Sequence, residues 1–428
     1  MTVLMNKKQE IKNRIDLINK GEVPKGYKKE YGYIVPNDWQ VLPIKYIVKQ
    51  VKRAKEKPSE PYWRLSVRSH AKGTFHSFVE NPEQVVMEEL FEVKENDLIV
   101  NITFAWEHAI AIVKKEDERL LVSHRFPTYE FNKNACVKFY ENIIKFPRIK
   151  KMLGDMSPGG AGRNRVLNQT DFYNKLYVPY TSRKEQEKIA EILSCCDKVI
   201  ELKEKTIEEK YRIKNLIIQN ELKHINCNND VSGKYIKLGT CVKFYKSKEL
   251  PKEKIVNNGV YPCIHYGQLF RVYGSQIKNI ISYTNENDEY FMSQEGDVLM
   301  PTSDVTPTGL ATASCINLDN VILGGDILII RPNKKMLNGN YLSYVIASER
   351  KQILKLVTGV TVYHIYSSDM KNFKFWLPNI KKQENIVNKL SQCDKEIELL
   401  KQELEQYKQL KKSLSQLLLT GIVRVNEV

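Results

Sequence analysis

Gln186-Glu187-Lys188-Ile189-Ala190-Glu191-Ile192-Leu193-Ser194-Cys195-Cys196-Asp197-Lys198-Val199-Ile200-Glu201-Leu202 returns 197 residues later as Gln383-Glu384-Asn385-Ile386-Val387-Asn388-Lys389-Leu390-Ser391-Gln392-Cys393-Asp394-Lys395-Glu396-Ile397-Glu398-Leu399, with 11 of 17 positions identical. Such identity marks a diverged tandem duplication. Each copy continues with apolar residues spaced alternately by three and four. The first stripe runs Ile189, Leu193, Cys196, Ile200, Ile207, Tyr211 and Ile218, and the second Ile386, Leu390, Cys393, Ile397, Leu400, Leu404, Tyr407 and Leu414. A repeat of about 3.5 residues keeps an apolar edge turned toward a partner helix. The remaining faces are dense in charge, as in Lys203, Glu204, Lys205, Glu208, Glu209 and Lys210, so neither helix suits burial all round. The two helices are therefore expected to pair with each other. Ile189, Leu193, Cys196 and Ile200 would form the seam with Ile386, Leu390, Cys393, Ile397, Leu400 and Leu404.

Outward from the helices, each copy closes a longer mixed segment. Val35-Pro36-Asn37-Asp38-Trp39 is a turn leading into the extended Gln40-Val41-Leu42-Pro43-Ile44, and Ser232-Gly233-Lys234-Tyr235-Ile236-Lys237-Leu238-Gly239 opens the second copy similarly. Short β-branched or aromatic runs punctuated by Gly, Pro, Asn and Asp follow in both, the pattern of twisted strands with connecting loops. Glu95-Asn96-Asp97-Leu98-Ile99-Val100 answers to Glu295-Gly296-Asp297-Val298-Leu299-Met300, a turn and a buried strand. Apolar spacing predicts one or two helices over 340–356 and a corresponding one from Tyr140 to Leu153. Tyr177-Val178-Pro179 and Phe375-Trp376-Leu377-Pro378 read as strands running out into the long helices.

The fold class is thus α+β, divided as an N-terminal helix and linker (1–32), a β-rich unit with helices (33–180), a long helix and linker (181–230), a second unit (231–379), and a second long helix with tail (380–428). The 37 residues from Gln186 to Leu222 span about 55 Å as a helix. Antiparallel pairing would put one unit at each end of a rod, suited to two readers on one face of a DNA duplex.

The formal charge of +16, from 67 basic and 51 acidic residues, favours a polyanionic partner, because each neutralised phosphate releases condensed counterions. The longest apolar runs, such as Asp326-Ile327-Leu328-Ile329-Ile330, fall far short of the roughly 20 residues that span a bilayer. The protein is expected to be soluble and cytoplasmic, with no membrane partner. The eight cysteines are scattered without a CxxC, and the seven histidines show no ligand spacing, so neither a disulfide framework nor a metal is expected.

Enzymatic motifs are missing. There is no GxxxxGKS or GxxxxGKT, no Asp/Asn/Ser-Pro-Pro-aromatic tetrapeptide to hold a flipped base, no HExxH, and no HxE with PCxxC. Gly159-Gly160-Ala161-Gly162 follows a helical stretch instead of opening a βαβ unit, which argues against a dinucleotide loop. It is flanked by Arg163, Asn164 and Arg165, side chains suited to a phosphate backbone or to guanine and adenine edges; a solvated turn is the plainer reading.

The Pro36 to Trp39 turn, the Asn96-Asp97-Leu98 and Gly296-Asp297-Val298 turns, and the Pro179…Gln186…Ile189 and Pro378…Gln383…Ile386 helix openings, in this order and duplicated, resemble the specificity subunit of type I restriction-modification enzymes over about 33–420. The resemblance implies that each unit is a target recognition domain reading one half of an asymmetric bipartite site in double-stranded DNA. It implies that the helices form a coiled coil that fixes the spacing and docks two adenine methyltransferase subunits. Restriction and motor subunits would join for cleavage. The chain itself would have no catalytic residues and no cofactor, with S-adenosylmethionine and ATP/Mg bound in the partner subunits.

Outside the shared frame the two units diverge. In the first, Arg64, Arg68, His70 and Lys72 alternate with smaller residues and would share one face of a strand. In the second, His265, Tyr266, Gln268 and Arg271 occupy the corresponding place. Ahead of the long helices, Asn164-Arg165 and the segment Thr358 to His364, with Thr361 and His364 as contacts, form a second candidate DNA loop in each unit. Two alternatives stay open: a specificity subunit whose methyltransferase and nuclease partner is one polypeptide, and a coiled-coil scaffold that binds no DNA.

Overall fold

The computed structural model describes residues 2–160, 164–222, 233–286 and 289–425, with side chains from residue 8 onward. Arg163, and the linker 223–232 where the second unit was expected to begin, lie outside the described residues. The chain divides into two compact units, Met1–Leu202 with Leu404–Val428, and Lys203–Glu403. No helix among the described residues is long and apolar enough to cross a membrane.

In the first unit, α1 (Thr2–Asn19) leads to the hairpin β1 (Tyr27–Glu30) and β2 (Tyr33–Pro36). The opening strand β3 (Gln40–Pro43) pairs antiparallel with β13 (Tyr177–Tyr180), which feeds α5 (Arg183–Ile217). Everything between is one excursion from this clasp. It contains an antiparallel sheet in the order β10 (Ile110–Ile112), β9 (Leu98–Val100), β12 (Thr128–Phe131), β4 (Val48–Val51). A second sheet runs β5 (Ala54–Glu56), β8 (Glu89–Glu92), β11 (Leu121–Val122), β6 (Tyr62–Val67), β7 (Thr74–Val79), in which only β11 and β6 are parallel. Three helices complete it: α2 (Val137–Ile143), α3 (Pro147–Asp155) and α4 (Gln169–Lys175). The single helix expected from Tyr140 to Leu153 is therefore two. Pro147 has no N–H to donate and drives Phe146 extended (φ −67°, ψ 142°), so one helix stops and another starts.

The second unit repeats the frame. Strand β14 (Gly233–Lys237) pairs with β28 (Lys374–Pro378), which feeds α10 (Ile380–Leu419). Its first sheet runs β15 (Val242–Lys246), β25 (Ile327–Pro332), β21 (Asp297–Pro301), β23 (Ser314–Ile316), β18 (Gln276–Ile277), and its second β16 (Ile255–Val256), β19 (Tyr283–Thr284), β17 (Tyr261–Ile264), β24 (Ile322–Leu323), β20 (Phe291–Met292). In this second sheet β17 and β24 are the parallel pair, as β6 and β11 are in the first unit, and the first sheet adds another parallel pair, β18 with β23. A small sheet of β22 (Ser303–Asp304), β27 (Tyr363–His364) and β26 (Thr358–Gly359) has no counterpart among the described residues of the first unit. The helices are α6 (Tyr266–Arg271), α7 (Gly339–Ser348), α8 (Arg350–Leu354) and α9 (Ser367–Met370).

The duplicated residues hold this frame. Gln186 is wholly buried; its Oε1 accepts from the Cys136 N–H at 2.8 Å and its Nε2 donates to the carbonyls of Thr181 (2.7 Å) and Asn134 (3.3 Å). Gln383 does the same with the Asn338 N–H (2.8 Å) and the carbonyls of Pro378 (2.8 Å) and Met336 (2.9 Å). Each glutamine thus ties the clasp strand, the start of the long helix and the start of α2 or α7. No residue but Asn or Gln offers a neutral acceptor and two donors on one planar group.

The Asn96 and Gly296 turns both take a positive φ (70° and 92°), and the following aspartates are buried. Asp97 accepts from the Lys94 N–H and from Arg53, and Asp297 from the Gln294 N–H and, through two 2.7 Å bonds, from Arg331. The arginines come from different elements, one just after β4 and one from β25, so the same turn is braced from a different strand in each copy.

Each unit contains part of both long helices, paired antiparallel. In the second unit Lys203, Lys210, Lys214 and Glu221 meet Glu403, Glu396, Asp394 and Lys389 in turn, one helix ascending as the other descends. The repeated aspartates do equivalent work: Asp197 binds Lys411 in the first unit, and Asp394 binds Lys214 in the second. The seam differs from expectation in its ends. Ile189 and Leu193 are buried in the first unit's own core, and Ile386 and Leu390 in the second's, so these positions anchor each helix to its unit. Cys393 and Ile397 are buried, whereas Cys196, Ile200, Leu400 and Leu404 are half-buried, because single helix pairs leave their flanks open. The far helix ends close the cores: Leu418, Leu419 and Val423 enter the first, Leu222 the second.

Candidate nucleic-acid interface

The two places where the sequence diverges are topologically equivalent. In the first unit the chain leaves β6 and returns as β7; in the second it leaves β17, the matching partner of the parallel pair, and forms α6 and β18 before β19. The first departs from the expected strand alternation. Only Arg64 lies on β6, half-buried opposite Ser77. Arg68, His70 and Lys72 belong to the connecting turn, which bends because His70, Ala71 and Gly73 take positive φ (62°, 50°, 84°). All three side chains are exposed, and the Arg68 guanidinium lies 5.4 Å from the centre of the Phe75 ring.

This turn is clamped to another. The Ser69 hydroxyl donates to Glu107 Oε2 (2.7 Å), the His70 N–H to the Glu107 carbonyl (2.8 Å) and the Ala71 N–H to the His108 carbonyl (2.8 Å). His108 is buried, and one ring nitrogen lies 2.7 Å from the Ile144 carbonyl at the end of α2. Burial holds its pKa below the ordinary imidazole value, with nearby Lys150 and His70 adding to the effect. The third segment reaches the same turn: the Arg165 guanidinium stacks 5.2 Å from the Trp106 ring, and the Leu167 N–H donates to the Ile102 carbonyl at 2.8 Å. Arg165 also donates to the carbonyls of Ser157 (3.0 Å) and Gly154 (2.9 Å), capping the end of α3. Of the first unit's candidates, then, Arg68, His70, Lys72 and Asn164 are exposed around one turn, and Arg165 braces it. Sequence reading missed exposed His124, Arg125 and Phe104 beside Ile102, whose N–H donates to the Arg125 carbonyl at 3.0 Å.

The second unit reproduces the convergence. The Ile365 N–H donates to the Thr302 carbonyl (3.1 Å) and the Thr302 N–H to the Asp326 carbonyl (2.8 Å), matching Leu167, Ile102 and Arg125. His364 pairs with Ser303 in the small sheet. The α6 segment approaches from the other side, since a β-carbon on Gly309 would meet the Asp304 carboxylate and lie 2.9 Å from the Phe270 ring. His265 and Gln268 are used structurally: the His265 ring accepts from the Gly267 N–H (3.2 Å), and Gln268 Oε1 accepts from the His265 N–H (2.9 Å), a reciprocal cap on α6. Burial first, then Lys252, lowers the His265 pKa, against an opposing pull from Asp326. Tyr266 is half-buried, while Arg271 and Thr361 are exposed. Exposed Arg350, Lys351 and Lys355 on and after α8 were missed.

Two copies of one frame, each closed by a strand clasp, carrying divergent loops with exposed arginine and lysine side chains and running into a long helix: this is a duplicated recognition protein. The sequence profile of the type I restriction modification DNA specificity domain matches twice, at residues 36–210 and 233–409, and the chain belongs to that family. It is similar to a Methanocaldococcus jannaschii protein assigned to the type I restriction enzyme MjaX as its specificity subunit, at 25% identity over 93% of this chain and 96% of the relative. The MjaVIII specificity subunit of the same organism is 23% identical over 94% and 97%. In fold it is similar to a chain solved for the complex assembly and conformational transition of the type I R-M system, with a TM-score of 0.59 and 15% identity over 91% of this chain and 99% of the other.

Proposed function

We infer that this chain selects the DNA target of a type I restriction-modification complex, each unit reading one half of an asymmetric bipartite site in double-stranded DNA. The observation that carries the reading is the contrast inside each unit. The clasp, the buried glutamine and the paired aspartate turn are duplicated, while the loops gathered at one end of the sheet differ in length, fold and charge. A symmetric frame with unlike loops suits a target whose halves are unlike. Phosphate contacts from Arg68, Lys72, Arg271, Lys351 and Lys355 would position the duplex, and base edges would supply sequence discrimination.

The paired helices serve as spacer and as the docking rod for two adenine methyltransferase subunits, with restriction and motor subunits joining for cleavage. In this reading the chain contributes no catalytic group. S-adenosylmethionine and ATP/Mg are bound by the partners, and the complex works in the cytoplasm. An electrophoretic shift with the methyltransferase present tests it: a sequence-selective, salt-sensitive shift is expected, and the absence of any such shift would favour a scaffold that binds no DNA.

A further inference from the structure

The small sheet of the second unit ends in a row of bare valines. Ser303 pairs with His364 and Asp304 with Tyr363, while Thr358 and Gly359 pair with His364 and Tyr363 from the other side. The next residues outward on the three strands are Val305, Val362 and Val360, which are 72%, 43% and 88% exposed. Gly359 takes φ 121°, and a β-carbon there would strike the Val362 carbonyl, so the tip is a tight turn that only glycine closes. Val305 and Val360 stand almost clear of the unit, and Val362 between them keeps part of its surface covered. Cations stand nearby: Arg350 donates to the Thr308 carbonyl (3.2 Å), and Lys351 and Lys355 are exposed on the same arm of chain.

We propose that Val305, Val360 and Val362 form an apolar tip that reads thymine in the major groove through its C5-methyl group. This rests on the DNA-recognition reading above. The major groove admits a two-stranded β-ribbon, and thymine methyl is the only apolar group that base edges display there. Neighbouring cations suit the flanking phosphates. Minor-groove wedges use longer or flatter side chains such as Phe, Leu, Ile, Met and Pro, so short valines fit a methyl contact better than an intercalating one.

The test uses the full chain assembled with its methyltransferase partner and the bipartite site found by mapping methylated adenines. The half read by the second unit is the one left unchanged when residues 33–180 are exchanged. Each thymine of that half is then replaced by deoxyuridine, which removes only the methyl group. Binding should weaken about fourfold at one or two positions, the worth of one buried methyl group. A Val360→Ser/Val362→Ser variant should lose that sensitivity while still reading the remaining base pairs of its own half, which also shows that the second unit folds. A second half without thymine, or one indifferent to every deoxyuridine, overturns the inference and leaves the recognition reading standing. Absence of any chain-dependent methylated site overturns the reading, and the inference with it.

Discussion

Replacing Gln383 by Leu keeps the volume and removes three hydrogen bonds at once. The Asn338 N–H and the carbonyls of Pro378 and Met336, now 2.8 to 2.9 Å from the side chain, would face an apolar surface. A buried backbone group left unpaired costs about 1–3 kcal/mol. Three, partly relieved by relaxation, give a loss of about 3–6 kcal/mol in the second unit. In a unit of this size that lowers the melting midpoint by roughly 6–24 °C, at about 2–4 °C per kcal/mol. Calorimetry should show one transition moving far more than the other. Gln383→Glu sharpens the test. Its carboxylate still accepts from Asn338 but faces two carbonyls, so its folded pKa must rise above the ordinary value near 4.3. The folded state then binds more protons than the unfolded one, and the variant should gain stability as pH falls from about 8 toward 5. A Leu variant within about 0.5 kcal/mol of the parent, or a Glu variant insensitive to pH, would refute the pinning role.

Arg424 forks Asp38 at 2.9 Å and also binds Glu185 at 2.9 Å, so Arg424→Ala should cost about 2 kcal/mol in urea denaturation; an unchanged midpoint would exclude the C-terminal segment as a seal of the first core. His108 has a folded pKa below its unfolded value of 6.5, so its contribution is whole above that pH and is lost as pH falls below it; His108→Gln should flatten the stability slope between about pH 7 and 5. Ile397 is 4% exposed, so Ile397→Lys should loosen the helix pair and abolish partner assembly or alter the spacer, read by size-exclusion of the complex and by methylation mapping. Unchanged methylation of the same site would contradict the spacer role.

The frame was legible because it is written twice. The glutamine and aspartate of the long helices, the turns at Asn96 and Gly296, and the strands running into α5 and α10 all stood out by repetition, and each has a matching structural task in both units. What repetition cannot show is which duplicated apolar residues serve the seam and which the core. Ile189 and Ile386 satisfy both patterns, and only packing assigns them to their own units. The loops were less legible. Arg64 to Lys72 alternates like a strand, but left-handed backbone at His70 and Ala71 converts its second half into a turn, and neither residue type announces that conformation. His265 and Gln268 looked like readers because a reciprocal helix cap uses the same polar side chains as a base contact. Val305 gave no signal, since its place beside Val362 depends on a register set by residues some sixty positions apart.

The most direct test of the central claim is a genome-wide map of methylated adenines with and without this chain, repeated after exchange of residues 33–180. A single asymmetric site of two short halves at fixed separation is expected, present only with the chain, with one half altered by the exchange and the other kept. Methylation that is the same without the chain, or an exchange that changes both halves together, would contradict it.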